Sequence, residues 1–177
     1  MGQTMKTTSS KVMRSKKELK DPFAVFKQAT ADAFNFLNEH GFEHVSTSAH
    51  APECEIKYQN ETTGLTITYE WGGVAWVDLS RLQRTSAEVV EDERYSLDVL
   101  MLECCPNRDI NEFYPSEDES PDQYVERVLL DYAQVLKECG RDILRGDFRL
   151  FPKLKKHAEN VLRQRNKELF GSETGVI

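Results

Sequence analysis

The first regular pattern along the chain is a stripe of apolar residues at helical spacing. Asp21 and Pro22 precede it as an N-cap acid followed by proline at the first helical position. Gly41 follows it as a left-handed cap. The stripe predicts an amphipathic helix that packs against a sheet, and it consists of Phe23, Phe26, Ala29 or Thr30, Ala33, Phe34 and Leu37.

Four short runs rich in β-branched and aromatic residues come next, and turn-forming residues separate them. Because the connections are too short for a parallel crossover, we expect consecutive strands to pair antiparallel in a meander. In the last run, alternation places Ala75 and Val77 toward the core and leaves Trp76 and Asp78 outward. The predicted strands are residues 42–47, 54–59, 65–70 and 74–79.

A polar segment, residues 85–94, separates the predicted sheet from a short helix. Ser96 stands where it can cap this two-turn helix, whose apolar residues lie between 97 and 103. A polar and acidic loop follows at residues 107–119, and its length is near the upper end of ordinary connections. The pattern therefore predicts a short helix followed by a long connection.

The strongest local signal in the chain is a capping box from Ser120 to Gln123, with proline at the first helical position. The apolar stripe behind it predicts one long helix that runs to Gly146, and Asp147 can cap a further helix. We expect these last two helices to form an antiparallel hairpin. The fold class is then α+β: an N-terminal helix, a four-stranded antiparallel meander, a short helix and a C-terminal helical hairpin.

The composition is that of one soluble globular domain with a tail. The chain has 177 residues, of which 39% are hydrophobic and 30% charged, and its mean hydropathy is −0.59. No apolar run is long enough to cross a membrane, and the start lacks the apolar stretch of a secretory signal. We therefore expect a flexible basic tail at 1–20, a single domain at 21–170 and a frayed C-terminus at 171–177.

The cysteines indicate free thiols in a reducing compartment. They are few for this length and show no C-x-x-C spacing, which argues against both a zinc ribbon and a disulfide framework. Together with the absence of a targeting segment, this favours a cytoplasmic protein. The cysteines are Cys54, Cys104, Cys105 and Cys139.

The net charge of −7 is unevenly distributed along the chain. The first twenty residues carry +5, residues 70–126 carry −11, and residues 141–167 carry +6. Such an acidic middle repels nucleic acid, and the basic stretch is typical of a solvated helix face, with a phosphate-binding helix as the alternative. The acidic residues are densest at Glu91, Asp92 and Glu93 and at Glu117, Asp118 and Glu119.

Only one pattern resembles enzymatic machinery. Glu55 and Lys57 form the E-x-K half of a restriction-type nuclease core, in which a carboxylate holds Mg²⁺ and the lysine polarises the attacking water. No second metal-binding acid precedes them on an earlier strand. His44, His50 and Cys54 lack the ligand spacing of a zinc site, and no nucleophile motif or phosphate-binding loop is present. The sequence therefore predicts no catalytic residues, no metal and no cofactor.

Several segments resemble a loose set of small, mostly uncharacterised bacterial proteins, some of them described as immunity proteins of polymorphic or contact-dependent toxin systems. The resemblance covers most of residues 22–170 and rests on caps and core residues, so it implies the fold more than the activity. The matching segments are Phe36-Leu37, Gly41-Phe42, Tyr95 to Asp98, Asp131 to Ala133, Arg141 to Phe148 and Phe151.

An acidic body with exposed aromatic residues suits a basic protein partner, because complementary potentials raise the association rate and aromatic anchors supply affinity. We therefore hypothesise a non-catalytic inhibitor that covers a basic toxin domain. The alternatives are a metal-dependent nuclease using Glu55 and Lys57, and an adaptor in phage defence or regulation that uses the basic face of residues 141–167. The hypothesis leaves the oligomeric state open. The predicted contact residues are Glu70, Trp71, Trp76, Asp78, Glu91, Asp92, Glu93, Glu117, Asp118 and Glu119.

Overall fold

A computed structural model describes residues 21–171 of the chain. The predicted basic tail at 1–20, and the predicted frayed end apart from Gly171, lie outside the described residues. The fold is α+β, with one antiparallel sheet and a set of helices against one of its faces. None of the described helices is both long and apolar enough to span a bilayer.

The sheet has five strands in the order β1-β2-β3-β4-β5, and every neighbouring pair is antiparallel. The predicted meander is confirmed, but the prediction of four strands is wrong, because the polar segment after residue 85 contributes a fifth. This strand lies at the edge of the sheet, where charged residues are favoured. The strands are β1 (Glu43–His50), β2 (Glu53–Gln59), β3 (Thr63–Glu70), β4 (Ala75–Arg84) and β5 (Val89–Ser96).

The helices are α1 (Ala24–Ala33), α2 (Leu97–Cys104), α3 (Pro121–Cys139), α4 (Arg141–Leu144) and α5 (Phe151–Phe170). They cover the inner face of the sheet, where alternate residues of β3 and β4 are buried. Leu65 and Ile67 on β3 are 1% and 0% exposed, and Val77 on β4 is 1% exposed. The predicted inward and outward sets of β4 are therefore confirmed, because Trp76 and Asp78 are only half-buried.

The predicted N-terminal helix is interrupted. Its α-helical part ends at Ala33, and a 3₁₀ helix continues from Asn35–His40 to Gly41, which adopts the expected left-handed conformation with φ 72°. Phe34 and Leu37 are both buried and stand three residues apart. Side chains at this spacing lie directly above one another in a 3₁₀ helix, so the tighter helix places both on the core.

α3 carries the predicted capping box, with the Ser120 hydroxyl accepting from the Gln123 amide and the Gln123 side chain accepting from the Ser120 amide. It does not run to Gly146 as predicted, because it ends at Cys139 and Gly140 separates it from α4. A Cβ on Gly140 would lie 2.9 Å from the Leu136 side chain, so only glycine fits this approach.

The predicted antiparallel hairpin of the last two helices is wrong. α3 packs mainly on α1 and α2, whereas α5 packs on α2 and β5. The reason lies at the start of α5, where the Phe151 ring packs edge-on against two other aromatic rings. Its centroid lies 5.0 Å from that of Tyr95 on β5 and 4.9 Å from that of Phe148. This aromatic cluster seats α5 over the edge strand instead of beside α3.

Tyr124 on α3 fixes the helix layer against the end of the sheet. Its buried hydroxyl accepts a hydrogen bond from the Ala75 amide at 3.0 Å and donates one to the Phe113 carbonyl at 3.1 Å. These two bonds hold the beginning of β4 beside the loop that leads into α3. The β3–β4 turn and that acidic loop therefore lie at the same end of the domain.

Candidate functional site

The outer face of the sheet, which lies opposite the helices, gathers several of the predicted contact residues. Strand register places Glu55, Thr68 and Trp76 in one row across β2, β3 and β4. Lys57, Thr66, Asp78 and Ser96 form the next row. We call this surface the acidic face, and its charged residues are Glu43, Glu53, Glu55, Lys57, Glu70, Asp78, Arg84, Glu91 and Arg94.

Two carboxylates stand directly opposite each other on this face. Glu53 on β2 pairs in register with Glu70 on β3, and both side chains are exposed. Like charges at directly opposite positions repel and destabilise a sheet. A cationic group placed between the two carboxylates would relieve this repulsion.

Two of the three cations of the acidic face are paired with its carboxylates, and the third, Arg84, donates to the backbone carbonyls of Asn60 and Glu61. Arg94 donates to the Asp78 carboxylate at 2.7 and 3.1 Å and lies 3.8 Å from Glu91, while the Lys57 ammonium lies 3.2 Å from Glu55. Arg94 and Lys57 thus neutralise carboxylates on their own surface. Glu53 and Glu70 form no ion pair with any described residue, and they carry the uncompensated charge.

The two tryptophans flank this uncompensated charge. Trp71 follows Glu70 in the β3–β4 turn and is 61% exposed, held by the hydrogen bond from its amide to the Pro52 carbonyl at 2.7 Å. Trp76 is half-buried on the acidic face, opposite Thr68. Thr66 and Thr68 lie between longer side chains of the neighbouring strands β2 and β4. Both threonines are buried, with exposed fractions of 3% and 2%. The arrangement offers aromatic surface beside carboxylates.

The acidic residues of β5 do not act as one cluster. β4 and β5 shift register between Arg81 and Leu82, so Glu91 pairs with Leu82 and Glu93 pairs with Arg81. Arg81 and Leu82 are consecutive and face opposite sides, which puts Glu91 on the acidic face and Glu93 on the helix side. Glu93 lies 3.9 Å from Arg81 there, and the Tyr95 hydroxyl donates to it at 3.4 Å. Asp92 between them is exposed.

The acidic loop before α3 divides in a similar way. Arg127 on α3 binds Glu119 through two hydrogen bonds of 2.7 Å, and it also donates to the backbone carbonyls of Glu112 and Tyr114. The hydrogen bond from Arg127 lowers the pKa of the Glu119 carboxyl below its usual value. Glu119 therefore holds the loop in place, whereas Glu117 and Asp118 are exposed and free to contact a partner.

The alternative nuclease site is incomplete in the described part of the chain. Glu55 and Lys57 do lie on one face of β2, as the spacing predicts, but they pair with each other at 3.2 Å. Among residues 21–171 there is no group of three or more histidine, cysteine or carboxylate side chains placed to hold a metal ion. The arrangement thus offers a single carboxylate whose charge is shared with the lysine that would activate water.

The basic residues of the C-terminal region lie away from the acidic face. Arg141 and Arg145 line a cleft of about 660 Å³ beside His40 and the β2–β3 turn, where Glu39 and Glu61 also contribute. The cations of α5 project into solvent, as expected of a solvated helix face; they are Lys153, Lys155, Lys156, Arg163, Arg165 and Lys167.

Sequence reasoning missed Glu53 as a member of the site. The alternation of Glu53 and Glu55 was visible, but only the register with β3 shows that Glu53 faces Glu70. The signal that could have indicated it is a pair of acidic residues at alternate positions of one strand, beside a turn that carries an exposed aromatic residue. Comparison of the chain with family models, with curated proteins and with solved structures finds no match.

Proposed function

We propose that this protein is a non-catalytic inhibitor of the immunity type, which binds a basic toxin domain through the acidic face and the adjoining exposed residues. The observation that supports it best is the opposed pair Glu53 and Glu70, uncompensated and adjacent to the exposed Trp71 ring. The exposed acids of the neighbouring loop, Glu117 and Asp118, extend the same charge. The protein acts in the cytoplasm and needs no cofactor.

Electrostatics favours a basic macromolecular partner over a small ligand. The acidic face is a broad sheet surface, and its excess carboxylates would attract a cationic protein and raise its association rate. Opposed carboxylates also penalise binding of an acidic partner, which confers specificity. Toxins that attack nucleic acid are often basic, so the charge of this surface complements theirs.

The aromatic residues supply the affinity in this proposal. Trp71 offers most of its ring to a partner, and tryptophan is among the residues that dominate binding energy when it enters a desolvated pocket. Polar and charged residues surround the two tryptophans, as in interfaces where a polar rim excludes water from a central anchor. The surface therefore combines an anchor with steering charges.

The test uses the product of the adjacent upstream gene as the candidate toxin, since immunity genes lie next to the toxins they neutralise. Co-expression with this chain is expected to suppress toxicity, and calorimetry is expected to detect a complex that weakens as salt increases. The double variant Glu53→Lys, Glu70→Lys should weaken binding roughly 100-fold, because it adds repulsion to the loss of attraction.

The control is a second double variant with the same net charge, Glu126→Lys with Glu159→Lys. Both carboxylates are exposed on helices, away from the acidic face. We expect it to bind within about twofold of the unmodified protein, because distant exposed charges are screened. An equal loss of affinity in both double variants would show that the effect depends on net charge alone, and it would refute this surface as the binding site. Full toxicity in the presence of the unmodified protein would refute the function.

A further inference from the structure

Three of the four cysteines converge where α2 and α3 end. Cys104 is the last residue of α2, Cys105 is its C-cap, and Cys139 is the last residue of α3. The Sγ atoms of Cys105 and Cys139 are in hydrogen-bond contact at 2.9 Å, and both thiols are partly accessible to solvent. Cys54, the remaining cysteine, is fully buried on β2 and belongs to the core.

We propose that Cys105 and Cys139 are an oxidative modification site, in which a peroxide converts the two thiols to a disulfide. The sequence does not indicate this pair, because Cys105 and Cys139 are far apart along the chain. The cysteines that are consecutive in the sequence are Cys104 and Cys105. The fold pairs Cys105 with a residue of another helix instead. The two sulfur atoms are already in contact in the described fold.

The chemistry balances with the peroxide as the oxidant. The Cys105 thiolate attacks one peroxide oxygen, the O–O bond breaks, and the products are a Cys105 sulfenic acid and hydroxide. The Cys139 sulfur then attacks the Cys105 sulfur, the S–O bond breaks, and the hydroxyl group leaves as water with the Cys139 proton. Two thiols lose two electrons and two protons in total, and one peroxide becomes two waters.

The contact at 2.9 Å pairs the two thiols, and the raised pKa of Cys139 favours the order in which Cys105 reacts first. Burial, followed by the hydrogen bond with Cys105, raises the pKa of the Cys139 thiol to about 12, and burial also raises the pKa of Cys104. A protonated thiol is a poor nucleophile toward peroxide. Cys139 therefore acts second, when its proton passes to the hydroxyl group that leaves Cys105, and its sulfur already lies at hydrogen-bond distance from the Cys105 sulfur.

The disulfide would enclose the segment that bears the acidic loop. Residues 106–138, with Glu117 and Asp118 among them, lie between the two sulfur atoms along the chain. A covalent link between the ends of α2 and α3 restricts the freedom of this segment in any partly unfolded state. Oxidation would thus keep the loop in its described position.

The experiment treats the full, reduced chain with a small excess of hydrogen peroxide, alkylates the remaining thiols and maps the linked peptides without reduction. The Cys104→Ser variant is treated in parallel. Because it lacks the cysteine next to Cys105, a link found in the peptide that contains residue 105 can be assigned to Cys105. We expect a Cys105–Cys139 link in both proteins, reversed by dithiothreitol. A link that joins Cys104 to either partner, or over-oxidation with no intramolecular link, would overturn the proposal.

Two single variants test the order of the steps. In Cys139→Ser, a dimedone probe should trap a sulfenic acid at Cys105, because the resolving thiol is missing. In Cys105→Ser, the same probe should leave Cys139 unlabelled. Labelling of Cys139 at the level of Cys105 would contradict the assignment. Circular dichroism of each variant before treatment confirms that the comparison is made between folded proteins.

Discussion

The Tyr132 hydroxyl donates a hydrogen bond to the Asp98 carboxylate across 3.2 Å, which joins the middle of α3 to the first turn of α2. Burial raises the pKa of Asp98 above its usual value of 3.8, although hydrogen bonds from Tyr132 and from Ser96 partly oppose this shift. Burial and the nearby Asp98 charge likewise raise the pKa of Tyr132. Folding therefore makes Asp98 easier to protonate than it is in the unfolded chain.

This shift predicts the effect of Asp98→Asn on stability at different pH values. A carboxyl with a raised pKa in the folded state stabilises the fold below pH 3.8 and loses that contribution as pH rises through the folded-state pKa. Asparagine carries no charge at any pH. The free energy of unfolding of the variant, relative to the unmodified protein, should therefore increase from pH 4 toward neutrality, as measured by urea denaturation.

Tyr132→Phe provides the matched comparison. It removes the hydrogen bond that lowers the pKa of Asp98, so the stability lost on raising the pH should become larger than in the unmodified protein. A constant difference between each variant and the unmodified protein across this pH range would contradict the role given to Asp98.

A second prediction concerns Gly146, which follows α4 with φ +84°. A Cβ at this position would lie 2.7 Å from the Thr62 hydroxyl oxygen, in addition to the cost of a left-handed conformation. Gly146→Ala should lower the free energy of unfolding by about 2–4 kcal/mol. Gly171→Ala is the control, because its φ is +64° and no atom of the described residues lies within 4 Å of the added atom.

The control separates the two costs. Gly171→Ala should lower the free energy of unfolding by about 1–2 kcal/mol, since only the backbone conformation is strained at this helix end. Denaturant titration of both variants measures the difference. Losses of equal size would mean that the contact with Thr62 adds nothing.

A third prediction separates stability from binding at Trp71. Because the side chain is 61% exposed, Trp71→Ala should change the free energy of unfolding by less than about 0.5 kcal/mol. Under the proposed function, affinity for the toxin should fall at least about tenfold. Leu162→Ala on α5 is the control, since Leu162 is equally exposed and lies outside the proposed contact surface. Similar losses of affinity in both variants would contradict the assignment.

A fourth prediction addresses the nuclease alternative. Lys57 pairs with Glu55, and the described residues provide no further ligands for a cation there. Titration with Mg²⁺ and Mn²⁺ in a calorimeter should therefore give the same heats for the unmodified protein and for Glu55→Ala. Saturable binding that Glu55→Ala abolishes would favour an enzyme over an inhibitor.

The sequence predicted those parts of the fold that depend on local signals. Short turns fixed the antiparallel meander, and the residues from Ser120 to Gln123 located the start of α3. The fifth strand was missed because β5 lies at the edge of the sheet and most of its side chains are exposed. Its charged residues therefore show no alternation of apolar and polar positions. The seat of α5 depends on contacts between Phe151 and Tyr95, which are distant along the chain.

The candidate site was predicted only in part, for a similar reason. Alternation along β4 correctly placed Trp76 and Asp78 outward, because one strand contains that information. The opposite directions of Glu91 and Glu93 follow from a register shift that needs two strands to define it. The pairing of Glu119 with Arg127 also could not be deduced, since it arises from the path of the loop over α3.

The meander also has a consequence for how the molecule assembles. Every neighbouring strand pair is consecutive in the chain, so each hairpin can close with a small loss of chain entropy and without waiting for distant segments. The Asn60 side chain, in contrast, donates to the carbonyls of His40 and Leu144, which stand 20 and 84 residues away. We expect the sheet to form early in folding. The hydrogen bonds that join Asn60 to His40 and Leu144 should form last, after the helices have packed against the sheet.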